Sequence, residues 1–191
     1  MQVYTIINSI FKSKTYILTE QGRSEAWIID CGDIIPIIDY IETNKFLLKG
    51  VFITHSHFDH IYGLNEIVER YPNIHVYISN RGEEGLYSQK YNLSEFNETP
   101  WIYRYRNVKI VNELSEMSIL NRPVKIYSTP GHDVSCLSFK IDEYFFTGDS
   151  YIPGIKTFTG WPLSNKEEAL NSKEKIVGIA NKGKLIIKAG H

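Results

Sequence analysis

Two cysteines, Cys31 and Cys136, in 191 residues exclude a disulfide-held scaffold and read as thiols buried in a reducing compartment. No apolar run approaches the roughly 20 residues that a membrane helix requires. The N-terminus, MQVYTIINSIFKSK, has no basic leader region, and Asn8 and Ser9 interrupt its apolar stretch, so it reads as a strand and not as a secretion signal. These absences make the cytoplasm the expected location. Charge of one sign is missing as well. With 21 basic and 22 acidic side chains the net charge is -1, so no long-range field draws the chain to nucleic acid or to an anionic membrane. The expected partner is a small-molecule substrate, and self-association, a dimer included, is left open. There is no G-x-S-x-G elbow to present a serine nucleophile. Internal repeats and low-complexity linkers are also missing.

What is present is a chain that can bury a core. It is 42% hydrophobic, with its isoleucines and aromatics spread along the whole length, as expected of one domain over residues 1–191. Short β-branched or aromatic runs at Val3 to Ile7, Thr15 to Thr19 and Ala26 to Asp30 read as strands. Ile34 to Thr43 reads as a helix. The stretch from Leu47 to Thr54 ends in an apolar run typical of a strand covered on both faces. Ile61, Leu64, Ile67, Val68 and Tyr71 recur at helical spacing, which predicts one helix from about Asp59 to Arg70. Further strands are expected at His75 to Ser79, Val108 to Val111, Val124 to Tyr127, Cys136 to Ile141, Tyr144 to Thr147 and Leu185 to Lys188. Between them, Leu86 to Arg106 looks irregular and aromatic-rich. A late helix is expected to begin at Ser164, with Glu167 completing a capping box, and to run to about Asn181. Strand blocks followed by a strand–helix unit, twice over, predict two sheets sandwiched between helices.

The six histidines are unevenly placed. His55, His57 and His60 fall within THSHFDH, whereas His75, in a strand and in no motif, reads as structural. With 6 His and 7 Asp in the chain, H-x-H-x-D-H arises by chance on the order of two times in ten thousand. The spacing has a mechanical sense. Residues two apart on an extended chain point the same way, so His55 and His57 can share one metal ion. Asp59 and His60, on the first turn of the following helix, can face back toward a second. Neutral imidazole and carboxylate suit Zn²⁺, Fe and Mn²⁺. STPGHD then places His132 on a tight turn after a strand, and FFTGDS places Asp149 behind a small glycine at another strand end. LIIKAGH ends a third strand at His191.

H-x-H-x-D-H, then G-H, then G-D, then a last strand ending in G-H resembles the metallo-β-lactamase fold, and within it the glyoxalase II-like hydrolases. The resemblance implies an α/β architecture, a four-layer αβ/βα sandwich. It implies one metal held by His55, His57 and His132, and a second by Asp59, His60 and His191. Asp149 would bridge the two. The cofactor expected is therefore two divalent ions, zinc foremost, with iron or manganese compatible. Two such ions about 3.5–4 Å apart share and acidify one water and polarise the substrate oxygen, which implies hydrolysis by a bridging hydroxide that Asp59 helps to orient.

Glyoxalase II itself adds a C-terminal helical region that holds glutathione. This sequence stops at the last ligand, so the expected substrate is more generic: a small ester, thioester or lactone. The loop from Tyr151 to Ser164 directly follows Asp149, and Tyr151, Lys156 and Trp161 are the expected substrate contacts, with the aromatic segment from Tyr87 to Tyr105 as a lid or wall. Two other activities fit the same fold. One is a mononuclear-iron oxidoreductase resembling the persulfide dioxygenases, which needs only the ligands of the type of His55, His57 and Asp149. The other is a phosphodiesterase, which would need a basic groove.

Overall fold

The computed structural model describes residues 1–191 as eleven strands and four α-helices. The strands are β1 (Gln2–Ile7), β2 (Lys14–Thr19), β3 (Glu25–Ile29), β4 (Leu47–Phe52), β5 (His75–Ile78), β6 (Val108–Ile110), β7 (Met117–Ile119), β8 (Arg122–Ser128), β9 (Leu137–Ile141), β10 (Tyr144–Gly148) and β11 (Ile186–Ala189). The helices are α1 (Ile34–Thr43), α2 (Leu64–Arg70), α3 (Asn80–Leu86) and α4 (Lys166–Gly183).

The first sheet has the order β1-β2-β3-β4-β5-β6, and the second β11-β10-β9-β8-β7. In the first, β1 to β3 are antiparallel and β3 to β6 parallel; in the second, only β10 and β11 are parallel. The layers follow from strand alternation. Ile17 of β2 and Ile28 of β3 face Ile37 and Ile41 of α1 and Leu64, Ile67 and Val68 of α2. Their neighbours Leu18 and Ile29, with Phe52, face inward onto Ile126, Phe139, Ile141 and Phe146 of the second sheet. On its other face the second sheet buries Phe145 against Ile176 and Ala180 of α4. Helix, sheet, sheet, helix is thus the observed order, as expected. Both faces of β4 are covered toward its C-terminal end, where Val51, Phe52 and Ile53 are fully buried, whereas Leu47 and Lys49 are exposed, which is why the stretch closes on an apolar run.

Two local expectations are corrected. Asp59 to Arg70 is not one helix: a 3₁₀ turn spans Phe58–His60, and α2 starts only at Leu64. The apolar stripe is real, since Ile61, Leu64 and Ile67 are fully buried. The chain breaks at Gly63, whose N–H donates to the Cys31 carbonyl. At α4 the cap is Asn165, one residue later than expected, its Oδ1 accepting from the Glu167 and Glu168 N–H groups. Ser164 instead donates its hydroxyl to the His132 carbonyl at 2.7 Å. The unexpected α3 opens on Ser79, whose Oγ accepts from the Gly82 N–H, and β7 was likewise unforeseen.

The turn carrying His132 is docked on the start of α4. Asn165 N–H donates to the Gly131 carbonyl and Ser172 Oγ to the Pro130 carbonyl. Gly131 has φ +125, and a Cβ there would lie 2.1 Å from the Ala169 nitrogen and 2.4 Å from its Cα. Backbone cannot yield as a side chain can, so Gly131→Ala should cost at least about 3 kcal/mol and lower the melting temperature by about 6 °C or more. Gly178, mid-helix in α4 with nothing within 4 Å of its Cβ direction, is the control. Gly178→Ala should raise stability by roughly 0.5–1 kcal/mol. Thermal melts followed by circular dichroism distinguish the two, and equal effects would contradict the packing described.

Candidate metal centre

The strand ends of both sheets converge on one edge. Asp30 follows β3, the THSHFDH segment follows β4, His132 follows β8, Asp149 follows β10 and His191 follows β11. Ligand sites in layered α/β folds gather outside the carboxyl ends of strands for this reason: the loops there are free to turn inward. Gly190 allows the closest approach, because a Cβ on it would lie 2.1 Å from Asp149 Oδ1 and 2.9 Å from His60 Cε1.

All seven expected ligand residues meet. His55, His57 and His132 have donor atoms within 4.8 Å of one another, as do Asp59, His60 and His191, and also His55, His60 and Asp149. His57 Nδ1 faces His132 Nε2 at 3.0 Å. His60 Nε2 lies 3.4 Å from Asp59 Oδ2, 3.5 Å from Asp149 Oδ1 and 3.4 Å from His191 Nε2. His191 Nε2 is 3.3 Å from both Asp59 Oδ2 and Asp149 Oδ2, and His132 Nε2 is 3.5 Å from Asp149 Oδ2. Donors about 2.0–2.1 Å from a tetrahedral ion stand about 3.3–3.4 Å from each other, so these spacings fit a metal. Two buried atoms add to the case. His55 Nε2 and Asp149 Oδ1 have no hydrogen-bond partner, a costly state for a polar atom without a ligand.

Most of the histidines are aimed by the ring nitrogen that does not face the cluster. His60 Nδ1 donates to Asp30 Oδ2 at 2.9 Å, His132 Nδ1 to the Phe158 carbonyl at 2.9 Å and His191 Nδ1 to the Phe11 carbonyl at 3.0 Å. His55 Nδ1 meets Thr54 Oγ1 at 3.1 Å, and that hydroxyl donates onward to Asp30 Oδ2 at 2.8 Å. His57 is held more loosely. Its Nε2 lies 3.5 Å from Asp133 Oδ2, while Asp133 accepts from the Ser135 N–H and hydroxyl.

Burial disfavours charge on Asp149, yet His60, His191 and His132 outweigh it and hold its carboxyl well below the usual range. Burial likewise opposes a charged His60, but Asp59, Asp149 and Asp30 push it up to about 9. His191 moves the same way, to about 10, under Asp149 and Asp59. His55 goes well below its ordinary value, through burial and then the neighbouring imidazoles. The carboxylates therefore stay ionised and draw cationic charge to the cluster, as a divalent ion requires.

A cleft of about 430 Å³ opens over the cluster. Of the expected substrate contacts only Trp161 lines it, together with Phe158 of the same loop. Tyr151 and Lys156 are turned to the opposite face of that loop, in a pocket shared with Lys166, Leu170 and Lys173 of α4. From the aromatic segment, Phe96 with Leu93 and Asn97 reaches the cleft, whereas Tyr103 is buried in the first core and Trp101 packs against it. The residues the sequence reading passed over are Asp30, Asp133, Phe11 and Phe158. Asp30 alone carried a signal, an acid closing the apolar run AWIID. Both thiols are buried, and burial raises them, so neither is a ready nucleophile.

The chain has relatives among known proteins. It is 31% identical over 147 residues to the hydroxyacylglutathione hydrolase of Buchnera aphidicola subsp. Schizaphis graminum, across 76% of this chain and 50% of that one. It spans about half the length of the curated relatives it matches. Among solved structures, the BLEG-1 B3 metallo-beta-lactamase superposes with a TM-score of 0.89 at 20% identity, over 100% of this chain and 91% of that one. TTHA1623 in a di-iron-bound form superposes at 0.83 and 18%, over 99% and 92%. At such identities the two structures speak for the fold alone. No helix here is long and apolar enough to cross a membrane. The family pattern itself fits residues 15–182, and the chain belongs to the metallo-β-lactamase superfamily.

Proposed function

We propose that the chain is a two-metal hydrolase that cleaves a small ester, thioester or lactone. The observation that carries this reading is the gathering of seven donor residues in two overlapping sets, with Asp149 between them. His55, His57 and His132 would hold one ion, and Asp59, His60 and His191 the other. Zinc suits these donors best, and iron and manganese also take imidazole and carboxylate. Bound there, two divalent ions supply an acidified water and positive charge beside the oxyanion that develops on the substrate. The hydroxyacylglutathione hydrolase among the relatives agrees with the hydrolase reading.

The chain's own residues set the geometry. Asp149 reaches toward both donor sets, with Oδ1 near His60 and Oδ2 near His132 and His191, and fixes their separation. Asp59 lines the cleft floor, where its carboxylate would accept a hydrogen bond from the attacking water and so orient it. Asp30 holds the His60 ring and, through Thr54, the His55 ring. Phe58, Phe96, Phe158 and Trp161 form an aromatic wall above the floor. Trp161 is the proposed substrate contact on this wall.

Elemental analysis of the purified chain should give two divalent ions per polypeptide, and a thioester, lactone and phosphodiester panel should show turnover of the first two classes. One iron per chain with oxygen uptake on a persulfide, or turnover of the phosphodiester alone, would replace this reading. Asp149→Ala should lose both ions, while His132→Ala should retain nearly one.

Asp30→Asn should weaken metal binding by about 10- to 100-fold, because it removes the acceptor at 2.9 Å from His60. Asp133→Asn should cost less, since its contact with His57 is 3.5 Å long. Competitive titration with a chelating dye ranks the two, and the reverse order would refute this account of the supporting carboxylates.

A further inference from the structure

The cleft is built in two chemically distinct parts. Its floor is the cluster: His57, Asp59, His132, Asp149 and His191. Its wall is Phe11, Phe58, Leu93, Phe96, Phe158 and Trp161, with Asn97 as the sole polar member. No lysine or arginine lines it. Four of the wall aromatics are unusually open to solvent, with Phe11 76%, Phe96 69%, Phe158 56% and Trp161 39% exposed. Exposed apolar residues scattered singly mean little, but a contiguous set around one opening marks a binding surface. This set is organised. Phe96 stacks on Trp161 at 6.3 Å across the mouth, joining two distant segments, and Phe158 meets Trp161 edge-on at 5.4 Å. Two wall residues are also held in the left-handed region that bulky side chains avoid, Phe11 at φ +49 and Leu93 at φ +63.

We propose that this wall selects substrates whose acyl or alcohol part is uncharged and apolar, either an aryl group or an alkyl chain of several carbons. The inference rests on the hydrolase reading and names its substrate class. An anionic arm such as the two carboxylates of a glutathione thioester would leave water for a wall that offers no cation. The charged residues flanking the wall in sequence do not change that: Lys12 follows Phe11, and Glu95 and Glu98 flank Phe96 and Asn97. An apolar arm would instead cover aromatic surface that now faces solvent, at about threefold to fourfold in affinity per methylene fully buried. The ester or thioester carbonyl lies at the floor, and the wall decides which arms reach it.

The test pairs turnover with binding on the metal-loaded full chain. Thioesters of N-acetylcysteamine with two-, four-, six- and eight-carbon acyl groups should show kcat/KM rising at least tenfold from the shortest to the longest. The six-carbon thioester of glutathione should be at least tenfold slower than its N-acetylcysteamine counterpart. Independently of turnover, octanohydroxamate should bind at least tenfold more tightly than acetohydroxamate by calorimetry. Trp161→Ala and Phe96→Ala should each reduce that ratio at least threefold. A length-independent pair of hydroxamates, or a preference for the glutathione thioester, overturns the proposal while leaving the hydrolase standing. Tighter octanohydroxamate binding without turnover of any ester, thioester or lactone leaves the apolar site standing and removes the hydrolase. Length-independent binding together with a dimer that Trp161→Ala dissociates in sedimentation means that a second copy of the chain covers the wall, and this also overturns the proposal.

Discussion

The carboxylate of Asp30 is the anchor on which the histidine loop depends. It is 1% exposed, stands just past β3 at φ +55, and takes three hydrogen bonds from that loop. Its Oδ1 accepts from the Thr54 N–H at 2.7 Å, and its Oδ2 accepts from the Thr54 hydroxyl at 2.8 Å and from His60 Nδ1 at 2.9 Å. A carboxylate buried to this depth is tolerable only with such partners, each charge-assisted bond contributing about 1.5–3 kcal/mol. The dependence runs both ways. The carboxylate needs the loop to satisfy its oxygens, and the loop needs the carboxylate to point His55 and His60 at a common centre.

That centre exists only when the two sheets are stacked. The first sheet supplies His55, His57, Asp59 and His60 from the end of β4, and the second supplies His132, Asp149 and His191 from β8, β10 and β11. Neither half has a complete donor set. What brings them together is the inter-sheet core, in which Phe52, two residues before Thr54, packs on Phe139 at 5.1 Å. The apolar burial that stabilises the sandwich and the convergence of the ligands are therefore a single event. A bound ion would add its binding energy to the same interface, which couples metal affinity to the folded state.

The layers were legible in the sequence because strands covered on both faces leave apolar runs, as at Val51 to Ile53. The ligands were legible because Asp59 and three histidines crowd into THSHFDH. What escaped has physical reasons. Helix α3 carries Gly82 and Gly85, which a propensity reading counts against a helix. Gly85 is there because a Cβ would lie 2.0 Å from Ser56 Oγ, so the helix presses on the histidine loop itself. The break before α2 comes from Gly63, whose added Cβ would meet the Gly32 carbonyl at 2.1 Å. That is a tertiary contact that no local pattern encodes. The cap of α4 slipped by one because Ser164 had a better partner in the His132 carbonyl. Tyr151 and Lys156 belonged to the right loop but to its other face, and loop sequences carry no period from which facing can be read.

The cleft wall and the donor set share residues without sharing atoms. Phe158 offers its carbonyl to His132 and its ring to the cleft wall; Phe11 does the same with His191. In each case the group that aims the ligand is backbone, and the group that faces the cleft is side chain. Replacing the ring leaves the carbonyl in place as long as the turn keeps its course. The wall can therefore change its chemistry while the donor set keeps its orientation, which is the separation a shared fold requires if its members are to act on different substrates. Asp30 and Asp133 have no such freedom, because there the supporting atom is the side chain. The physical difference between what varies cheaply and what does not is thus written into which atom of each residue touches the histidines.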